Sequence, residues 1–209
     1  YPGVKALVTR NSYVALVKSA LDTFERVARQ CGYEIGKKNG GPNVIYRLGE
    51  SKPTAYLFPY SKYTDPDGRV YEGQSKIVIS SLSNAKDELG AEYDYVYVNQ
   101  PELISESDWE FLITRANGRR GHAPYPLLFG DPNPEHERHW IKVGGYTIDE
   151  DETLVNATGQ SYLKGEYYRH NGKFYTTDDD LEIKDAKWRL IKSTYRDNPT
   201  IWDDKLGCF

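Results

Sequence analysis

The chain has 209 residues, of which 38% are hydrophobic and 13% aromatic, with 27 basic against 31 acidic side chains and a formal charge of −4. That length admits one generous domain or one domain with a large insertion, and the charge excludes a protein held to nucleic acid by bulk positive charge alone, though not a local basic groove. Two distant cysteines, Cys31 and Cys208, offer neither a disulfide framework nor a metal-ligand spacing, as expected of a reducing compartment.

No apolar run approaches membrane-spanning length and no basic-then-apolar leader opens the chain. With no methionine and Tyr1 as its first residue, the sequence reads as an internal piece of a longer protein. Residues 4–9 (VKALVT) form a short apolar, β-branched run that predicts a buried strand, ending in the polar Arg10-Asn11-Ser12. Asn11 or Ser12 can cap a helix running to about Cys31, with Val14, Val17, Leu21, Phe24, Val27 and Ala28 on one apolar face and Gly32 at its stop. Residues 44–48 and 54–58 predict a hairpin, residues 61–75 hold the turn cluster Asp65-Pro66-Asp67-Gly68, and Ile77-Val78-Ile79 predicts another strand.

The clearest strand signal is YDYVYV (93–98), which stops at Asn99-Gln100-Pro101 because proline cannot continue a sheet ladder. Ser105 with Asp108 three residues on makes a capping box for a helix whose buried stripe is Trp109, Leu112 and Ile113. A basic glycine loop (NGRRG, 117–121) leads to a buried strand at 126–130, which ends in Asp131-Pro132-Asn133-Pro134 before a short helix over 135–141. From Gly144 to about Asp185, acidic clusters flank a tyrosine-rich stretch with Asn171-Gly172 at a hairpin-turn position, so a β-hairpin insertion is expected there. Residues 188–193 return to a strand pattern. Strands alternating with helices predict an α/β fold with a mainly parallel sheet flanked by helices.

In such a sheet, ligands bind outside the carboxyl ends of the strands. Three predicted strand ends carry polar residues there: Arg10-Asn11-Ser12, Asn99-Gln100 and Asp131-Pro132-Asn133. Strand ends are commonly polar and Asp131 to Pro134 also has the composition of a simple turn, so both readings stand at this point.

The order YDYVYVNQ (93–100), SESDWEFLITRANGRRG (105–121), LLFGDPNPEHERHW (127–140) and STYRDNP (193–199), preceded by LVTRNSYVALVKSALDTFERV (7–27), resembles the large terminase subunits of tailed bacteriophages. The match covers most of residues 4–141 and 186–200. The resemblance implies a P-loop NTPase-like core, incomplete here, with 1–143 its middle part, 144–185 the β-rich insertion and 186–209 its end. It implies an ATPase that drives viral DNA into a procapsid, with ATP and Mg2+ as cofactors. The implied partners are duplex DNA, sister subunits in a ring, a small terminase subunit and a portal protein. The implied setting is the host cytoplasm beside the procapsid, with no membrane.

By that resemblance Asn99 and Gln100 fall where the family carries its Walker B acidic pair, the first residue bearing on Mg2+ and the second on the attacking water. Both are amides here, able to orient water but not to accept its proton. Glu102 is the nearest substitute acid and Asp94 another. Asn133 matches the position that senses the terminal phosphate, and Asp131 is a second metal-side candidate. Lys86 lies near the place of a trans-acting arginine, although lysine lacks the planar fork that clamps phosphate; Arg115, Arg119 and Arg120 are alternatives for a neighbour's nucleotide or for DNA phosphates. No GxxxxGK[ST] phosphate loop occurs in the sequence. In the family it precedes the strand that begins near Val4 and a nuclease domain follows the ATPase, so this piece alone is expected not to turn over ATP.

Three rival readings compete. His136 and His139, with His122, Glu135 and Glu137, lack the ligand register that zinc needs. The tyrosine-rich hairpin (Tyr162, Tyr167, Tyr168, Tyr175 with Lys164, Arg169, His170 and Lys173) could stack bases or sugars as a non-catalytic nucleic-acid or carbohydrate binding module. A carboxylate hydrolase using Asp94 with Glu102 has only the abundance of acids behind it.

Overall fold

The computed structural model describes residues 1–36, 41–82, 91–118, 123–133, 136, 138–171 and 173–191. The chain divides into two compact units, Tyr1–Asn133 and Pro134–Phe209.

The first unit is built on a seven-stranded sheet in the order β2-β3-β4-β5-β1-β6-β7. Its strands are β1 (Lys5–Arg10), β2 (Glu34–Gly36), β3 (Val44–Leu48), β4 (Ala55–Thr64), β5 (Val70–Ser81), β6 (Tyr95–Asn99) and β7 (Leu127–Asp131). Neighbours run parallel from β5 through β1 and β6 to β7, and β2 is parallel to β3, while β3, β4 and β5 are antiparallel. The mainly parallel α/β sheet expected from the sequence is therefore present. The turn cluster closes the β4–β5 hairpin: the Asp65 carboxylate accepts from the Arg69 N–H at 2.8 Å, and Gly68 takes a left-handed φ of +81°.

The first helix runs in three parts, α1 (Tyr13–Leu16), a π-helical segment (Val17–Leu21) and α2 (Asp22–Gln30). Ser12 stands at its N-cap without a side-chain cap bond, and Gly32 ends it in the left-handed region. The π segment's wider turn delays the helix by about one residue. Leu16, Leu21 and Ala28 consequently face the sheet with Tyr13, Val17, Ala20 and Phe24 beside them, closing a core with Val8, Ile45, Tyr56 and Ile79. The uninterrupted α periodicity over-assigned that face: Val14 is 61% exposed and Val27 46%.

The opposite face receives α3 (Glu106–Arg115), whose Phe111 and Leu112 lie near Leu7 and Thr9. Strand side chains alternate between faces, so α1–α2 and α3 cover opposite sides. The capping box forms as the sequence predicts, Ser105 Oγ accepting from the Asp108 N–H at 3.1 Å. Ile113 instead points to solvent, and β7 is half exposed rather than a buried strand, because among the described residues it pairs on one side only.

In the second unit, α4 (Trp140–Val143) is the short helix, starting later than expected; residues 134, 135 and 137 lie outside the described residues. β8 (Gly145–Ile148), β9 (Leu154–Val155), β10 (Ser161–Tyr162) and β13 (Trp188–Arg189) form a four-stranded sheet, with the hairpin β11 (Tyr167–His170) and β12 (Lys173–Thr176) alongside. Tyr146, Leu154, Phe174, Ile183 and Ala186 form its core. The expected hairpin is thus part of a larger β unit. Its turn has Asn171 at φ +48°, while Gly172 lies outside the described residues. Of the strand expected over 188–193, Trp188–Arg189 forms and runs parallel to β8, Leu190 and Ile191 are not in it, and residues 192 and 193 lie outside the described residues.

Candidate functional site

The topology singles out one crevice. β1 connects through α1–α2 toward β2 on one side, whereas its neighbour β6 connects through α3 to β7 on the other. Adjacent parallel strands whose connections leave in opposite directions open a gap at their carboxyl ends, the usual ligand position of open α/β sheets. The polar ends of β1, β6 and β7 meet at that edge.

Arg10 closes β1 and Asn99 closes β6, on the same face. The Arg10 guanidinium donates from Nη1 to Ser19 Oγ at 2.9 Å and to Asn99 Oδ1 at 3.3 Å, and from Nη2 to Gln100 Oε1. Ser19 comes from the π segment, where its hydroxyl donates to the Ala15 carbonyl at 2.8 Å. The amide of the buried Asn99 then points its Nδ2 at Asp131, donating to the two carboxylate oxygens at 3.3 and 3.2 Å. Asp131 also accepts the Gln100 backbone N–H at 3.1 Å. Gly130 lets β7 approach: a Cβ there would stand 2.7 Å from the Val98 carbonyl oxygen.

Gln100 has φ +54°, a left-handed conformation that costs a non-glycine residue about 1 kcal/mol. Its two bonds, to Arg10 and Asp131, hold it there. Tyr97, on the same face, donates no charge to the group: burial first, and then its hydrogen bond to Asp131, push its phenol up to about 12.

The result is an array of one guanidinium, one carboxylate, two amides and a hydroxyl. Both amide oxygens are turned toward Arg10. This arrangement bears on Mg2+, which the resemblance assigns to Asn99. A divalent ion needs carboxylate or carbonyl oxygens and several waters. Asn99 Oδ1 is already within 3.3 Å of a cationic donor, and Asp131 is engaged by three N–H contacts. The residues at Asn99 and Gln100 therefore do not fit a divalent cation.

The other expected positions divide. Glu102 lies in the 3-10 turn Pro101–Leu103, directly beyond Gln100 at the same edge, and Asn133 is exposed just past β7, also at that edge. Asp94 precedes β6 at the opposite end, roughly 16 Å along the strand, where its buried carboxylate accepts the Lys5 N–H at 2.9 Å. It cannot replace an acid at residue 99, which corrects one of the sequence's two candidates. Arg115 ends α3 at that opposite edge, its carbonyl accepting from the Tyr93 N–H and its guanidinium lying over the Phe111 ring at 4.9 Å. Lys86, Arg119, Arg120 and His122 lie outside the described residues.

His139 Nδ1 accepts from the Ile141 N–H at 3.3 Å as the cap of α4, and Trp140 meets the Trp188 ring edge-on. Among the described residues no group of three His, Cys, Asp or Glu side chains could hold a metal ion. On the tyrosine-rich hairpin, Tyr168 and Tyr175 stack on each other at 5.5 Å and Lys173 pairs with Glu182 at 2.7 Å, so these rings and this charge already have partners.

Sequence reasoning places Arg10 among the polar strand ends at the ligand edge but gives it no role there, and it gives Ser19 no part in a site. The signal for Arg10 was the polar end of β1. Its meaning depended on β1 lying beside β6, which pairing alone decides.

No family model matches the sequence, and no curated protein matches it. Among solved structures the chain is similar to phage large terminases. The ATPase domain of the Thermus phage P74-26 large terminase is 12% identical with a TM-score of 0.46, over 94% of this chain and 66% of that one. The large terminase of a second thermophilic bacteriophage, in complex with ADP, is 14% identical with a TM-score of 0.47, over 68% of this chain and 29% of that one. A further crystal form of that second terminase is 12% identical with a TM-score of 0.43 over the same shares. The chain thus spans less than a third of the second terminase's length.

Proposed function

We propose that this chain is part of the nucleotide-binding unit of a viral DNA-packaging motor, and that a nucleotide's phosphates lodge in the crevice between the carboxyl ends of β1 and β6. The observation that carries the reading is the convergence of Arg10, Asn99, Gln100 and Asp131 at that crevice, on strands that occur in the order of the terminase resemblance. A fixed guanidinium charge suits phosphate oxygens. ATP is the proposed nucleotide. DNA, sister subunits, the small terminase subunit and the portal are the proposed partners of the parent protein, in the host cytoplasm.

Residues 1–143 and 186–209 would belong to the motor core and 144–185 to an insertion, a functional division that cuts across the two compact units. Within the crevice, Asn99 and Gln100 can orient a water but cannot take its proton. Glu102 and Asp131 are the carboxylates at the same edge that could. Asn133 is proposed to face the terminal phosphate, and Lys86 and Arg115 to act on a neighbouring subunit's nucleotide.

The test is ATP binding and turnover by the full-length parent as wild type, Glu102→Gln and Asp131→Asn. Binding, with turnover lost in one variant, supports the reading and names the acid. A folded parent that neither binds nor hydrolyses ATP overturns it.

A further inference from the structure

The resemblance puts a divalent cation where the structure puts an arginine. Arg10 reaches the oxygens of both amides that the resemblance sets at the Walker B positions, Asn99 Oδ1 at 3.3 Å and Gln100 Oε1. Side-chain amides have one oxygen each, and orientation decides which end faces the ligand. Here the oxygens face inward to a resident positive charge. Asn99 Nδ2 is turned to Asp131, and the Gln100 N–H is committed to the same carboxylate.

A metal at Asn99 would have to displace a guanidinium from an oxygen that carries no formal charge. A carboxylate would repay that displacement with strong Coulomb attraction; an amide does not. The exchange of acids for amides and the inward reach of Arg10 are therefore one device: neutral oxygens tolerate a fixed guanidinium, and the guanidinium supplies the positive charge.

We infer that Arg10 replaces the divalent cation at this crevice, so that the Asn99–Gln100 site takes a phosphoryl group without a metal ion. The part about phosphate rests on the proposed function; the part about metal does not. Arg10 is suited to the role because guanidinium stays charged at all ordinary pH values, and its bonds to Ser19, Asn99 and Gln100 fix that charge in the crevice. Ser19 and the Ala15 carbonyl, from the helix wall of the crevice, hold the fork in place at 2.9 and 3.4 Å. Asp131 keeps the Asn99 amide from turning over and offering its oxygen outward, and it anchors the Gln100 backbone N–H.

Two measurements on the full-length parent protein decide it. In the first, Mn2+ alone is titrated and followed by electron paramagnetic resonance. Wild type is expected to show no bound Mn2+ that depends on Asn99, whereas Arg10→Gln combined with Asn99→Asp and Gln100→Glu, which removes the resident cation and restores two acids, should create such a site. Mn2+ bound by wild type and lost in Asn99→Ala would overturn the inference, whatever the protein does with nucleotides. So would a triple variant that folds, by circular dichroism, yet gains no site.

In the second, ADP affinity is measured with Mg2+ and with EDTA. Affinities equal within about threefold, and weakened at least about tenfold by Arg10→Gln, are expected from the loss of a charge-assisted contact. ADP binding that disappears in EDTA overturns the inference but leaves the nucleotide reading standing. No ADP binding in either buffer removes the nucleotide reading, and the Mn2+ result still decides the metal question.

Discussion

A guanidinium carries five N–H donors in a rigid plane, and Arg10 directs its two terminal nitrogens to a hydroxyl, a backbone carbonyl and two amide oxygens. Asp131 does the converse, collecting N–H groups from Asn99 and Gln100. The two charges face each other through Asn99 rather than touching, so the orientation of one amide depends on both. Tyr97 reports on this. Its phenol is held near 12 by burial and by Asp131, so Asp131→Asn should lower that value toward the range set by burial alone, read as the pH dependence of the Tyr97 ring carbons by NMR in tyrosine-labelled protein. An unchanged titration would mean that Asp131 does not engage Tyr97. A raised folded-state value means that the neutral phenol is favoured in the fold. The corresponding stability is present in full below the unfolded value near 10 and is lost as the pH climbs from about 10 to about 12, on the order of 1–2 kcal/mol after solvent screening. Asp131→Asn should flatten that alkaline loss. None of these partnerships was legible in the sequence. Asn99, Gln100 and Asp131 stood out as strand ends, but their hydrogen bonds join residues about 30 positions apart in one case and about 90 in the other, and no local signal carries such a pairing.

Elements were legible where period and punctuation agree. β1, β6 and the capped start of α3 follow from β-branched runs, a proline stop and a Ser–Asp box. The first helix shows the limit: its existence and its Gly32 stop follow from the sequence, but the π segment does not, and with it went the exposure of Val27. Nothing local announces an extra residue per turn; packing against the sheet selects it. The spacing between elements matters as much as their identity. Gly130 sits where β7 meets β6, and a methyl group there would collide with the Val98 carbonyl and the Pro101 ring, 3.0 Å from its Cγ. Gly130→Ala should destabilise the first unit by about 1–3 kcal/mol, the usual cost of overpacking, in urea unfolding. It should also shift the Asn99 and Gln100 amide resonances, because forcing β7 outward draws Asp131 away from them. A neutral substitution would show that β7 is not held against β6 as described.

At the level of the whole molecule, the α/β class with a mainly parallel sheet was legible because strands alternate with helices along the chain. The division at Asn133/Pro134 was not: the change in composition is visible at Gly144, while the second unit's sheet draws in Trp188–Arg189 from beyond the tyrosine-rich stretch. The crevice between β1 and β6 is a property of connectivity, visible only once the strand order is known. That same order leaves β7 with a ladder on one side among the described residues, and β7 carries Asp131 at its end. Protein structure opens from its least supported margins inward, so brief fraying of β7 would release Asp131 while β6 stays in place. The Gly130 and Asp131 amides should exchange with deuterium well before those of Val96 and Val98, and a crevice that depends on Asp131 would then be intact only for the fraction of time that the margin is closed. Ligand affinity and edge protection should rise and fall together, which makes the outermost strand of the sheet the thermostat of its innermost chemistry.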